Sequence, residues 1–521
     1  MKRLVAAVLI FSLILPTMTA CKNDEVQKPD DAAVQAAILD EFYNISSIPR
    51  ESGRERAVST YLRSWAKENG FEVVRDSSNN VIITKPASPG YENAPVTILQ
   101  CNIDTKIAVA NGSTFDPAVD SVTPMINGEF LVANGTSMGA DSGIGIATTL
   151  YVLKNSKNHG KIRAIFTAGG ESAMTGAEKI KAKYLEGDFL INFGWENGST
   201  IGLGSGGSAS YDMLHEIEWV PPQNAIPYLL SISGLNGGDA NKAIGKGGAN
   251  AIKTIGEILA AAQGKGILFE LGSFNGGISR DAIPTAAGAL ITINESDQKK
   301  MQNVVNDAME TFEDTYGDVE KNYTFTYEET QMPDKVVSFE DNGSIISFVY
   351  GIINGVQTLS EDYEDVVESA SNLGVVSTST GNFVAQVSAV STSDVGLYEI
   401  TTAHEAISAM SNLQYTYHDG VPRWPDHPDS MLVHTIQGIY EELYDDKLPG
   451  AILLRETECG WFAKKNPKLQ IVSIGVGIEQ ANQPHEKVIL DTITRPVNVV
   501  MSFLEKTNHL SQTSDDSKGT E

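Results

Sequence analysis

Cysteine is nearly absent from this chain, with 3 in 521 residues, at positions 21, 101 and 459. That excludes a fold stapled by a disulfide framework. Histidine is also scarce, at 8 residues, so any site built on several imidazoles must draw on few candidates. Basic residues are outnumbered, 38 Lys and Arg against 66 Asp and Glu, for a net charge of -28. Such a surface repels phosphate backbones and anionic lipid, which argues against nucleic acid or an anionic membrane as a binding partner. No apolar run is long enough to cross a bilayer comfortably as a permanent helix. What remains, 41% hydrophobic and 20% charged, is the composition of a globular protein, and its length suggests two or three domains.

The first residues are read as a targeting segment rather than as fold. Lys2 and Arg3 precede an apolar stretch over 4–15, and Thr17-Met18-Thr19-Ala20 leads to Cys21. The pattern resembles a bacterial lipobox, which makes Cys21 the expected lipidation site. Export across the inner membrane and lipid anchoring to the cell envelope follow. Residues 22–32 are polar and acidic, as a solvated tether would be, and are consistent with surface display.

From residue 32 the chain becomes regular. Residues 71–75 and 80–84 alternate around Ser77-Ser78-Asn79 and predict a hairpin. The continuous apolar run 95–101 predicts a strand buried on both faces. GTSMGADSGIGIA, at 135–147, sets Asp141 in a glycine-rich turn ahead of an apolar helical run over 144–153. By itself an acid at such a place is most often an N-cap. A strand over 162–167, Gly169-Gly170-Glu171, a helix over 173–183 and a strand over 189–193 follow. Alternating strands and helices predict an α/β domain with a mixed sheet covered by helices. Ligands in such sheets bind at the carboxyl edge of the strands, where Asp104, Asp141 and Glu171 would converge.

Residues 211–417 change character. A β-α-β-β-α order recurs twice, with helices expected near 249–262, 297–315, 342–355 and 403–412, and a strand over 266–271. This reads as an inserted α+β lid domain. The expected organisation is a signal segment over 1–20 and a tether over 21–31. The first part of the core domain spans 32–210, the lid 211–417, and the second part, including a helix over 486–504, spans 418–508. A disordered tail over 509–521 ends the chain.

QCNID (100–104), GTSMGADSGIGIA, GGESAMTGA (169–177), FNGGISRDAIP (274–284), Glu458-Cys459-Gly460 and IVSIG (471–475) occur in order. Together they resemble the bacterial aminoacyl-histidine (Xaa-His) dipeptidases of the di-zinc aminopeptidase and carboxypeptidase clan. The resemblance covers about 32–504 and implies a di-zinc peptidase domain interrupted by a lid that mediates homodimerisation and helps bind substrate. Such a site needs imidazole and carboxylate ligands, one carboxylate bridging the metals, and a further acid to move the proton of the attacking water.

Carried over residue by residue, the resemblance places the bridging Asp on Asp141 and a metal-ligating Glu on Glu171. Asp104 matches the acid behind the first His. That His falls on Asn102, the general base on Gly170, a later metal-ligating Asp on Gly194, and the C-terminal His on Asn482. The lid His falls on Asp239. Three of five metal ligands and the general base are thus replaced by residues that are poor ligands for zinc or have no side chain. His485 and Glu196 are the candidates for filling in. Arg280 matches the lid arginine that holds a substrate carboxylate, and Glu458 is placed to meet a substrate amino group. A solvated turn arginine and a loop-end acid are the plain alternatives. As cofactor the expectation is none, or one weakly held divalent cation on Asp104, Asp141 and Glu171. The preferred reading is a non-catalytic dipeptidase homologue binding a peptide or a protein partner. A metal-dependent dipeptidase with a modified site is the alternative.

Overall fold

The structure, a computed structural model, describes residues 31–379 and 381–516. The signal segment and Cys21 lie outside the described residues, as does nearly all of the tether.

One sheet positions the site. Its eight strands run in the order Glu72–Arg75, Val81–Lys85, Ile162–Thr167, Thr97–Asn102, Phe189–Trp195, Gln470–Gly475, Ile201–Ser205 and Gly450–Leu453. Thr97–Asn102 pairs in parallel with both neighbours and is buried at every position, which is why its sequence is a run and not an alternation. The outer strands Glu72–Arg75 and Val81–Lys85 form the antiparallel hairpin expected from their alternation. Helices Asp31–Ser46, Ala140–Asn155, Met431–Tyr444 and Thr494–Asp516 cover one face, and a smaller cluster containing Ile98, Ile165, Leu190 and Phe462 fills the other. Asn102, Thr167 and Trp195 end three adjacent central strands on the same edge.

A second, nine-stranded antiparallel sheet runs Thr324–Glu329, Ile226–Ser233, Ala287–Ile293, Glu270–Gly276, Val367–Ser377, Asn382–Ser391, Gly207–Glu216 and Gln414–Asp419, with Gly355–Leu359 added on Val367–Ser377. Strand Gly207–Glu216 alternates buried and half-exposed residues over most of its length, the signature of one covered face. Helices Ala251–Gly264, Gln298–Tyr316, Phe339–Gly351 and Asp394–Met410 lie with it in a separate core.

Several boundaries differ from the sequence reading. The helix expected over 173–183 is a short helix Thr175–Lys179 and a 3-10 turn Ala182–Tyr184, broken by extended backbone at Ile180 and Lys181 that keeps Ile180 buried. The helix expected over 486–504 begins at Thr494, because Lys487–Ile489 pairs as a strand with Phe130–Val132. The strand placed over 266–271 is Glu270–Gly276, and the helix placed over 403–412 is Asp394–Met410, capped by Ser393. The last helix continues to Asp516, into the stretch read as a disordered tail.

Candidate active site

The glycine-rich turn is built around an arginine that the sequence did not single out. Arg50 is buried, and its guanidinium donates to the carbonyls of Ile103, Asp104 and Gly139 and to Ser142 Oγ. Gly139 is left-handed (φ 61°), and a Cβ there would stand 2.1 Å from Thr105 Oγ1. At Gly143 a Cβ would stand 2.4 Å from Phe42 Cε2 and 2.9 Å from Arg50 Nη2. These glycines are therefore required by packing. Helix Ala140–Asn155 starts after Gly139, so Asp141 sits inside its first turn and does not cap it. Its charge still faces the positive end of the helix dipole.

Asp141 lines a pocket with Asn102, Gly170, Glu171, Gly194 and Glu458, so five positions aligned on the catalytic set and one aligned on substrate recognition meet at one place. Asp104, Asn482, His485, Arg280 and Asp239 are not in that lining. Asp104 is fully buried, and both its oxygens are engaged. Oδ1 accepts from the Gly170 amide at 2.7 Å, while Oδ2 accepts from the Glu171 amide at 3.0 Å and Ser52 Oγ at 2.6 Å. It fixes the turn that carries Glu171 and has little left to offer a cation.

Asn102 does the reverse of what a metal ligand does. Its amide Nδ2 donates to Glu171 Oε1 at 3.0 Å and to the Asp104 carbonyl at 3.2 Å, so it presents a donor to the carboxylate beside it where a metal ligand would present a lone pair. At Gly194 a Cβ would stand 3.1 Å from Asn192 Oδ1, so a side chain fits only if Asn192 gives by a few tenths of an ångström; Trp195 lines the pocket beside it. Asn482 is left-handed (φ 59°), and its buried Oδ1 has no partner. Its backbone N–H donates to Glu486 Oε2 at 3.0 Å. Glu486 also accepts from the amides of Met138 and Ala140, tying the C-terminal loop to the glycine-rich turn.

The rescue candidates do not supply a ligand set. His485 is exposed. Glu196 lines the pocket but pairs with Arg455 at 2.8 Å. Among the described residues no group of three or more His, Cys, Asp and Glu could hold a metal ion. The expectation of one cation on Asp104, Asp141 and Glu171 is accordingly corrected, since Asp104 is consumed by the turn. The residues present do not fit a dinuclear zinc centre.

The pocket's acids are held far from their ordinary behaviour. Burial raises Glu171 to about 8, with Asp141 and Asp104 adding repulsion. Burial likewise raises Asp141, reinforced by Glu196. Glu458 is pushed to about 7 by burial, against hydrogen bonds from Thr167 and Gln100 to its Oε2. Its Oε1 is buried without a partner.

Arg280 lies half-buried in the turn before strand Ala282–Ile283 and is paired. Its Nη2 donates to Asp212 Oδ1 at 2.9 Å, and Asp212 also binds His418 and Gln386. Asp239 is exposed, on a two-residue strand paired with Ala282–Ile283. Nearby, Asn241 Nδ2 donates at 2.8 Å to Glu456, which lines the pocket. Arg50, Arg455 and Glu486 are the functional-site residues that sequence reasoning missed. Arg50, in Ile48-Pro49-Arg50-Glu51-Ser52, carried no spacing that tied it to position 139 or 142.

A sequence profile of Peptidase family M20/M25/M40 matches residues 114–506. The cytosol non-specific dipeptidase of Escherichia coli (strain K12) is 30% identical over 458 residues, covering 88% of this chain and 94% of that protein. The crystal structure of aminoacylhistidine dipeptidase from Vibrio alginolyticus superposes with a TM-score of 0.79 at 32% identity, covering 90% of this chain and 96% of that one. A tripeptidase structure from Staphylococcus aureus subsp. aureus mu50, at TM-score 0.53 and 15% identity over 91% of this chain and 99% of that one, shares the fold.

Proposed function

The chain belongs to peptidase family M20/M25/M40, and on that premise we propose that it is a non-catalytic homologue of the family's dipeptidases, binding a ligand without hydrolysing it. The observation that supports this reading best is the hydrogen bond from Asn102 Nδ2 to Glu171 Oε1, which puts a donor, and not a ligating lone pair, where the family's first His would stand. Gly170 adds to it. No side chain there can take a proton from water, and general-base catalysis is worth roughly two to four orders of magnitude. Residues 211–417, which include Arg280 and Asp239, are read as the lid, with homodimerisation through it. The chain is read as a lipoprotein of the cell envelope, anchored at Cys21.

A second reading, a metal-dependent dipeptide hydrolase with a modified site, is favoured by Asp141, whose buried Oδ1 has no partner. Elemental analysis of the mature protein, purified without chelator, separates the two. Well under one zinc per chain and no Xaa-His hydrolysis is the expected result. Tightly held zinc at two per chain, or dipeptide cleavage abolished by Glu171→Ala, overturns the non-catalytic reading.

A further inference from the structure

We propose that a cavity between the two sheets is a second ligand site, built for a small amphipathic carboxylate, an apolar aryl or alkyl body carrying one carboxylate group. It is a different place from the pocket of Asp141 and Glu171. Among the described residues, Trp424 alone lines both. The inference therefore holds whether or not that pocket is catalytic.

The cavity, of about 450 Å³, lies where the chain crosses between the sheets. Two connections make that crossing, and they are joined. Ser205 and Trp424 exchange backbone hydrogen bonds at 3.0 Å, and the Ser208 N–H donates to the Val421 carbonyl at 2.8 Å. Ser208, Val421 and Trp424 line the cavity, and apolar walls close it from both sides. Leu397 comes from helix Asp394–Met410, beside the second sheet, while Pro467 and Leu469 precede strand Gln470–Gly475 of the first. Cavities of this size at such junctions, mostly apolar with a few placed polar groups, are the usual form of small-molecule sites.

Charge decides the class of ligand. The two acids in the lining stand at the rim and are partnered. Asp394 is 79% exposed, 2.9 Å from Arg423 Nε, and exposed Asp419 accepts from the Tyr417 hydroxyl at 2.9 Å. The charge held further in is Arg423, 25% exposed. Its Nη1 donates to the Thr392 carbonyl at 2.8 Å, and among the described residues its Nη2 has no hydrogen-bond partner. A guanidinium with open N–H groups suits a carboxylate, and it disfavours a ligand cation. Lys464 and His427, both exposed, add donors at the mouth. A body resting on Leu397 and on Pro467 and Leu469 would fasten the two sheets together, so the bound protein should melt higher.

The test is calorimetric titration of the mature protein with 4-phenylbutyrate, hexanoate and the two corresponding amides. Melting temperature is followed in parallel. The proposal expects single-site binding and a raised melting temperature with one or both carboxylates, the pair separating an aryl from an alkyl body. Each amide should bind at least about tenfold more weakly than its carboxylate. Arg423→Met should weaken carboxylate binding at least about tenfold, because the charged hydrogen bonds leave with the guanidinium. Should that variant fail to fold, Lys464→Glu, at an exposed position, should still weaken binding by about threefold or more. No heat and no melting shift with either carboxylate at ~10 mM overturns the proposal. So does an amide that binds as well as its carboxylate, or unchanged affinity in both variants. None of these outcomes bears on zinc content or hydrolysis, so this site can fail while the non-catalytic reading stands.

Discussion

Asn102 and Gly170 lie so close that a Cβ on residue 170 would stand 2.5 Å from the Cβ of Asn102. The two positions aligned on a metal ligand and the general base therefore exclude each other's side chains in this backbone. Gly170→Ala should destabilise the protein by about 1–3 kcal/mol, as overpacking of a rigid site does. Asn102→Gly in the same chain should recover much of that loss, giving a non-additive double-mutant cycle in guanidinium unfolding. A neutral Gly170→Ala would mean that the 168–172 turn shifts freely.

Arg50 holds the turn from beneath. It donates to three carbonyls and one hydroxyl, and it is the cation facing Asp141, Asp104, Glu171 and Glu486. Arg50→Met removes those donors and leaves the acids uncompensated, so a loss of about 3–5 kcal/mol is expected. Arg50→Lys should recover only part, because an ammonium cannot span the same fork. Denaturant midpoints read both, and an Arg50→Met protein as stable as the parent would refute this role.

The catalytic-type sheet was legible because burial on both faces writes itself as the apolar runs of 95–101 and 162–167. The covered face of the second sheet likewise writes itself as alternation. The glycine-rich turn was legible as a motif, yet its reason was not, since Phe42, Arg50 and Thr105 come from outside it. Asp104 stands where the resemblance puts an acid, but no spacing reveals that its oxygens accept from two amides and a hydroxyl. Arg280 meets Asp212 from 68 residues away, a pairing set by the strand order of the sheet. The segment 487–489 was read as helix because its partner, Phe130–Val132, is remote in sequence.

Glu171, Glu458 and Glu486 give stability an unusual pH dependence. Their folded values of about 8, 7 and 7 lie above the ordinary 4.5. Between pH 4.5 and 8 the folded state thus binds more protons than the unfolded state, and the slope of unfolding free energy with pH is negative. These groups stabilise the fold most at or below pH 4.5, and that contribution is lost as pH rises through 7 and 8. The melting temperature should fall from pH 5.5 to 8.5, and the decline should be shallower in Glu171→Gln. A decline as steep in the variant as in the parent would exclude Glu171 as a source.

Membrane association provides a test apart from the pocket. Cys21 follows a basic, apolar and small-residue segment of the kind cleaved before a lipidated cysteine. Among the described residues no helix is long and apolar enough to cross a membrane. Cys21→Ala should therefore move the protein from the membrane fraction to the soluble fraction on sedimentation. Association that persists unchanged would mean that Cys21 is not the anchor.

Rebuilding the metal site should proceed in two unequal steps. Asn102→His, Gly194→Asp and Asn482→His restore three ligands. At position 194 a side chain requires only that Asn192 give by a few tenths of an ångström, and the left-handed backbone at 482 is one that His tolerates better than most residues. The triple variant also replaces the amide that Asn102 presents to Glu171 with an imidazole that has a lone pair to ligate, so it should bind more zinc than the parent. Gly170→Glu, the fourth change, returns the proton acceptor but meets residue 102 at a separation no pair of Cβ atoms occupies. The quadruple variant should therefore melt below the triple and gain little hydrolysis, since misplacements near 1 Å cost about a hundredfold in rate. Zinc stoichiometry and melting temperature across parent, triple and quadruple decide it. A triple variant without zinc would show that Asp141 and Glu171 no longer stand where ligands must, and a quadruple variant that melts with the triple would show that the turn carrying Gly170 can move aside.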